Sequence, residues 1–250
     1  MTTIPKSHPR YESLRIRDLI TKAAKQGLVH DTGLIAHGRG EAYDYLLGEQ
    51  TSSFSLEAEK TAAAALLIDK NPVLSINGNV AALSSKEMVR LGQSIPAKLE
   101  INLFHPSKKR KQLISQRLQN QGAKKVYGLK EDACIPGLDQ DRAICDTEGI
   151  FTSDVVLVPL EDGDRCQALT AIGKRVIVID LNPLSRSAQT ASITIVDNVI
   201  RAIPSITKFV NELKSVKKET LNNIVKSWDN KKYLHDILVF ISKRLNSIEP

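Results

Sequence analysis

Polar residues crowd the downstream ends of five short apolar runs in the middle of this chain. Asn77-Gly-Asn79 follows Pro72–Ile76, and Asn102 and His105 lie at the end of Leu99–Leu103. Glu161, Asp162, Asp164 and Arg165 follow Asp154–Pro159; Asp180-Leu181-Asn182, then Arg186-Ser187, follow Arg175–Ile179; Asp197-Asn198 follows Ile193–Val196. Amides and carboxylates of these types bind hydroxyl and ammonium groups, and a guanidinium meets phosphate as a planar fork. Two cationic segments lie upstream, Lys6-Ser-His8-Pro-Arg10 and Leu34-Ile-Ala-His37-Gly-Arg39-Gly40. In the second, the glycines are expected to let backbone approach a ligand, with Arg39 facing phosphate. His8 and His37 fit a structural role as well as a site.

The elements that must carry these residues follow from the patterning. The runs are rich in Val and Ile and nearly continuous, which marks strands covered on both faces, as in a parallel sheet. Helical stretches at Ser85–Gly92, Pro106–Gln121 and Arg165–Ile172 supply the crossovers that parallel strands need. The reading is an α/β sheet of the doubly wound type across residues 71–197. Residues 1–70 add helices near Tyr11–Gln26, Gly40–Leu47 and Leu56–Asp69. Residues 198–250 add others near Asn198–Lys214, Lys217–Ser227 and Lys231–Leu245, with Asp197 expected as an N-cap. In an open α/β sheet, ligands bind beyond the carboxyl ends of the strands, where the polar clusters fall.

Composition narrows the function classes. The 250 residues are 42% hydrophobic and 25% charged, ordinary for a globular chain. The longest apolar run, Ala62–Ile68, is far short of the ~20 residues a bilayer span needs. Residues 1–30 hold no apolar leader core, and Cys134, Cys145 and Cys166 form no CxxC pair, so the expectation is a cytoplasmic protein without a zinc or disulfide framework. The net charge of +7 is local: residues 105–130 hold eight Lys and Arg and no acid. With few aromatics interleaved, this block is expected to be the solvated face of a crossover helix, with no nucleic acid as partner. The glycine pattern of dinucleotide folds fails at Tyr43, Gly173-Lys174 is no phosphate loop, and neither GxSxG nor HExxH occurs. An NAD(P) oxidoreductase and a basic nucleic-acid-binding module remain as alternative readings.

Several longer blocks, in order, are more specific. Ser7–Leu14, Gly33–Ala42 (GLIAHGRGEA), Ser75–Leu83, Leu99–Phe104, Val155–Arg165 (VVLVPLEDGDR) and Ile179–Ser187 (IDLNPLSRS) resemble the archaeal phosphopantothenate synthetase family of 4-phosphopantoate–β-alanine ligases. The resemblance implies a single ligase domain over residues 1–250, a Rossmann-like parallel sheet flanked by helices, and a homodimer. It implies ATP-dependent, AMP-forming ligation of 4-phosphopantoate to β-alanine. ATP-contacting positions of similar proteins match Arg17, Arg39, Asp180, Leu181, Asn182, Arg186, Ser187, Asn198 and Val199, the last standing where isoleucine is common. Lys6, His8, Arg10 and His37 are then expected to neutralise the phosphorylated substrates. Asn77, Asn79, Asn102, Glu161, Asp162, Asp164 and Arg165 are expected to hold substrate. Among them the acids suit Mg²⁺ or the β-alanine ammonium, or form a capped turn before Arg165; no protein metal ligand is assigned.

Overall fold

A computed structural model describes residues 5–247; residues 1–4 and 248–250 of the expected unit lie outside it. Three helices come first: α1 (Tyr11–Lys25), α2 (Asp31–Leu47) and α3 (Ser53–Ile68). Strand β1 (Pro72–Ile76) leads through α4 (Gly78–Leu83) and α5 (Ser85–Ser94) to β2 (Lys98–Ile101), then through α6 (Lys108–Asn120) to β3 (Val126–Tyr127). A small hairpin, β4 (Ala133–Cys134) and β5 (Ile144–Cys145), precedes β6 (Val155–Pro159). Then come α7 (Gly163–Ala171), β7 (Arg175–Ile179), α8 (Arg186–Thr190), β8 (Ile193–Ile195), α9 (Val199–Leu213), α10 (Lys218–Lys226) and α11 (Asn230–Asn246).

The main sheet is parallel throughout, in the order β3-β2-β1-β6-β7-β8. From β1 the chain winds outward one way to β2 and β3, then returns to β6 and winds the other way. This is the doubly wound α/β fold expected, and its topological switch point lies between β1 and β6. Alternation along each strand sends side chains to two cores. Val155, Leu157, Ile177 and Ile179 join α3, α5, α6 and α9, whereas Val156, Val158, Val176 and Val178 join α7 and the hairpin region. Burial on both faces explains the unbroken apolar strands.

The structure moves some expected boundaries. β2 begins one residue before the expected run and ends at Ile101. The short elements β3, β4, β5, α4 and α8 carry too few residues for a period to show. The N-cap of α9 is Asn198, whose side chain accepts from the Ile200 N–H, because the Asp197 carboxylate is already taken by Arg201 and Thr51. The largest change is α2. The Leu34–Gly40 segment, expected as a cationic loop, lies inside a 17-residue helix capped by the His30 side chain and by left-handed Gly48 (φ 84°). Caps at both ends and packing on α4 outweigh the ~1 kcal/mol that each helical glycine costs. Gly33 shows why one is needed: a Cβ there would lie 2.5 Å from Asn79 Oδ1. No described helix is long and apolar enough to cross a membrane.

Candidate active site

The switch point is tied together by Asn77. Its Nδ2 donates to the carbonyls of Pro159 (2.8 Å) and Leu160 (3.2 Å), and its Oδ1 accepts from the Val80 N–H to cap α4. The carboxyl ends of β1 and β6 are thereby held together, and Asn79 Nδ2 donates to Gly33 O, fixing α2 beside them. Two cavities open here and share Ala36, Asn79 and Leu160. The first, about 80 Å³ and mostly apolar, takes in Ile16, His37, Leu181, Asn198 and Val199. The second, about 290 Å³, takes in His30, Arg39, Phe104, His105, Arg110 and Arg142. Residues of α2 thus line both cavities.

A charged network floors the first cavity. Arg201 pairs with Asp44 and with Asp197, both at 2.6 Å, and Asn198 Nδ2 donates to Asp44. His37 sits in this cavity with its Nε2 sealed from solvent and unpartnered among the described residues. Burial lowers its pKa, so it is neutral at pH 7 and brings no positive charge, contrary to expectation. Beside the cavity the Asp180 carboxylate accepts from the Asn182 N–H and Ser185 Oγ, and the Asn182 side chain accepts from the Leu184 N–H. Burial raises the Asp180 pKa, with the two hydrogen bonds and nearby Arg39 opposing it.

The acids after β6 are spoken for. Glu161 is buried between Arg142 (2.6 Å) and Arg165, and bonds to both guanidiniums. Burial works to raise its pKa, yet the two cations hold it below the ordinary range. Asp162 caps α7 by accepting from the Arg165 N–H, and Asp164 pairs with Arg186 at 2.7 Å on the surface. The capped-turn alternative therefore describes this stretch. No cluster of three His, Cys, Asp or Glu able to hold a metal occurs among the described residues. Arg165 is fully buried; its Nη1 donates to Glu161 and Ser75, while Nε and Nη2 are sealed from solvent without a hydrogen-bond partner among the described residues. Asn102 is also buried, exchanging hydrogen bonds with Arg142.

The remaining expected residues are scattered around the cavities. Arg39 is exposed at the second cavity, and no described carboxylate lies within ion-pair distance of it. Arg17 is bound to Glu41 and Tyr45; Arg10 also reaches Tyr45 Oη. Lys6, His8 and Arg10 lie on the exposed approach to α1 and line neither cavity, nor does Arg186. Ser187 Oγ donates to Glu161 O.

Three cations went unforeseen or misplaced. Arg142 reaches the cavity from the turn before β5, a region without periodic signal. Arg110 and Lys111 belong to the basic block expected to be solvated. Lys111 is buried, donating to Gly128 O and Glu131, and Arg110 lines the second cavity. A helical wheel could have found this: Arg110 and Lys111 lie four and three residues before Ile114 on the apolar face, whereas Lys108 and Lys109 stay exposed.

Residues 54–244 match the family described as phosphopantothenate/pantothenate synthetase. Curated relatives named 4-phosphopantoate–β-alanine ligase match nearly end to end. The protein of Methanosarcina mazei is 48% identical over 99% of this chain and 98% of its own. That of Thermococcus onnurineus is 48% identical over 99% of this chain and 95% of its own. That of Thermococcus kodakarensis is 47% identical with the same coverage. Sharing the whole length of these ligases, and carrying its polar clusters on one sheet edge at the switch point, the chain belongs to the phosphopantothenate/pantothenate synthetase family.

Proposed function

We propose that this protein joins the carboxylate of 4-phosphopantoate to the amine of β-alanine at the expense of ATP, giving 4′-phosphopantothenate, AMP and pyrophosphate, as a single ligase unit that pairs into a homodimer. The observation that carries the reading is the near-full-length identity of close to half with curated ligases of that name. The crevice suits the reaction: it pairs a mostly apolar cavity with a cation-lined one across a single helix.

The route has two displacements. A carboxylate oxygen attacks the α-phosphorus and pyrophosphate leaves, forming an acyl-adenylate. The neutral amine then attacks the acyl carbon, AMP leaves, and the nitrogen gives up a proton. Mg²⁺ enters with the nucleotide as part of the substrate. In this reading Leu181, Asn198 and Val199 surround the nucleoside, with the turn from Asp180 to Ser185 beside them. Arg39, between that turn and the second cavity, offsets negative charge as it shifts in the transition state. Arg10 and Arg17, joined through Tyr45, add positive potential before and within α1, as does Lys6, with His8 beside them. Orientation of the two substrates supplies much of the rate, so no covalent nucleophile is required.

Purified protein incubated with ATP, Mg²⁺, 4-phosphopantoate and β-alanine should release AMP and pyrophosphate in step with amide. Release of ADP and phosphate would replace the adenylate by an acyl phosphate, and no amide at all would end the reading.

A further inference from the structure

Arg110 is the cation of the second cavity that is held in place without a counter-ion. Its Nε donates to Leu28 O and its Nη1 to His105 O, both at 2.9 Å. Its Nη2 has no hydrogen-bond partner among the described residues. Gly78 makes room for it: a Cβ at that position would lie 2.4 Å from Nη2. The guanidinium is therefore fixed against the first turn after β1, at the switch point. It is half-buried, and no described carboxylate lies within ion-pair distance. Burial lowers its pKa, and nearby Arg142 lowers it further. The guanidinium nonetheless stays charged, because its reference value is so high.

A half-buried cation beside another cation is costly unless an anion completes it. The rest of the wall fits one. Arg39 is unpaired there among the described residues, and the rings of His30 and His105 meet at 4.1 Å, tilted by 34°. The two acids of the wall do not serve as counter-ions, since Glu161 bonds Arg142 and Arg165 while Asp162 caps α7 and faces Arg142 at 3.3 Å. Of the residues matched to ATP, Leu181, Asn198 and Val199 line the other cavity and Arg39 this one, which favours the acid substrate as the source of the anion at Arg110.

We infer that Arg110 is the specificity-determining residue for the phosphomonoester of the acid substrate, making the second cavity the place where a phosphorylated hydroxy acid is told from its unphosphorylated form. This rests on the ligase reading. His30, His105 and Arg39 complete the anion's surroundings, with Arg39 shared between the two substrates.

The test compares wild type with Arg110→Gln and Arg110→Lys. Calorimetric Kd values are measured for 4-phosphopantoate and for pantoate, and KM for ATP. In wild type the phosphorylated acid should bind much the tighter. Arg110→Gln should weaken 4-phosphopantoate about ten- to a hundredfold, the loss of one charged hydrogen-bonding partner, while pantoate affinity and the KM for ATP move less than about twofold. Arg110→Lys keeps charge without the fork, so its loss should be smaller; it also provides the same ratio if the glutamine variant fails to fold. Equal weakening of both acids would make Arg110 a structural tether and overturn the inference, as would unchanged discrimination. A rise in the KM for ATP alone would give the residue to the nucleotide and overturn it too. Amide formation by wild type is scored separately, so failure of the ligase reading is seen independently of Arg110.

Discussion

Arg39 and Lys111 show how little a charge's place in the sequence says about its work. Arg39 is exposed and unpaired among the described residues, so its removal takes nothing from the fold. Arg39→Ala should raise the KM for ATP or 4-phosphopantoate about ten- to a hundredfold through loss of a charge-assisted bond, with the melting temperature unchanged. Steady-state kinetics beside a thermal melt checks this, and unchanged KM for both would remove Arg39 from the site. Lys111 behaves oppositely. Its ammonium is buried on Gly128 O and Glu131, tying α6 to the loop after β3. Lys111→Gln should cost about 1–3 kcal/mol in urea unfolding, whereas Lys108→Gln with Lys109→Gln should leave both stability and turnover near wild type. A stable Lys111→Gln protein would show that the contact contributes nothing.

At the level of elements, α7 depends on its cap. Asp162 Oδ1 accepts from the Arg165 N–H at 2.9 Å, and the helix it starts carries Arg165 into the buried ion network. Asp162→Ala should lower stability by about 1 kcal/mol, and Asp162→Asn, which keeps the accepting oxygen, should restore most of it. If asparagine is as damaging as alanine, the charge matters more than the cap. Long elements of this kind are what the sequence makes legible. β1, β6, β7 and the main helices each hold a clear apolar pattern, so their order and the switch-point site could be read directly. α2 could not be read in full, because the three glycines of its first ten residues outweigh any local signal, and its N-cap is a histidine, outside the usual capping residues. The polar ends were likewise visible as clusters, but not their partners. Glu161 and Arg165 look like ligand groups until Arg142, some twenty residues upstream in an aperiodic stretch, is seen bonded to Glu161. Burial decides such roles, and burial of a charged residue is not encoded by its type.

Across the whole molecule, two buried glutamates make stability depend on pH. Glu59, on α3, bonds Ser205 of α9, and its other oxygen is sealed without a partner among the described residues. Glu100, on β2, accepts from the N–H groups of Asp146 and Ile150, pinning the segment around the hairpin to the sheet. Burial raises these carboxyls from the ordinary 4.5 to about 8 for Glu59 and about 7 for Glu100. With folded pKa values above the unfolded ones, the native state binds more protons between pH 4.5 and 8. Stability from these groups is therefore fully present below about pH 4.5 and lost as pH rises through 7 and then 8. His37, with its lowered pKa, works the other way, but its window lies below its ordinary value of 6.5. The free energy of unfolding should thus fall by on the order of 2–4 kcal/mol between pH 6.5 and 9, or several degrees in melting temperature. Glu59→Gln fixes the neutral form in nearly the same shape. It should match wild type near pH 5 and exceed it at pH 9, because there the wild-type carboxylate must ionise inside the packing of α3 on α9. Urea unfolding at pH 5, 7 and 9 measures both curves. Parallel curves would mean that Glu59 reaches water when it ionises, and the α3–α9 interface would then be looser than its packing implies.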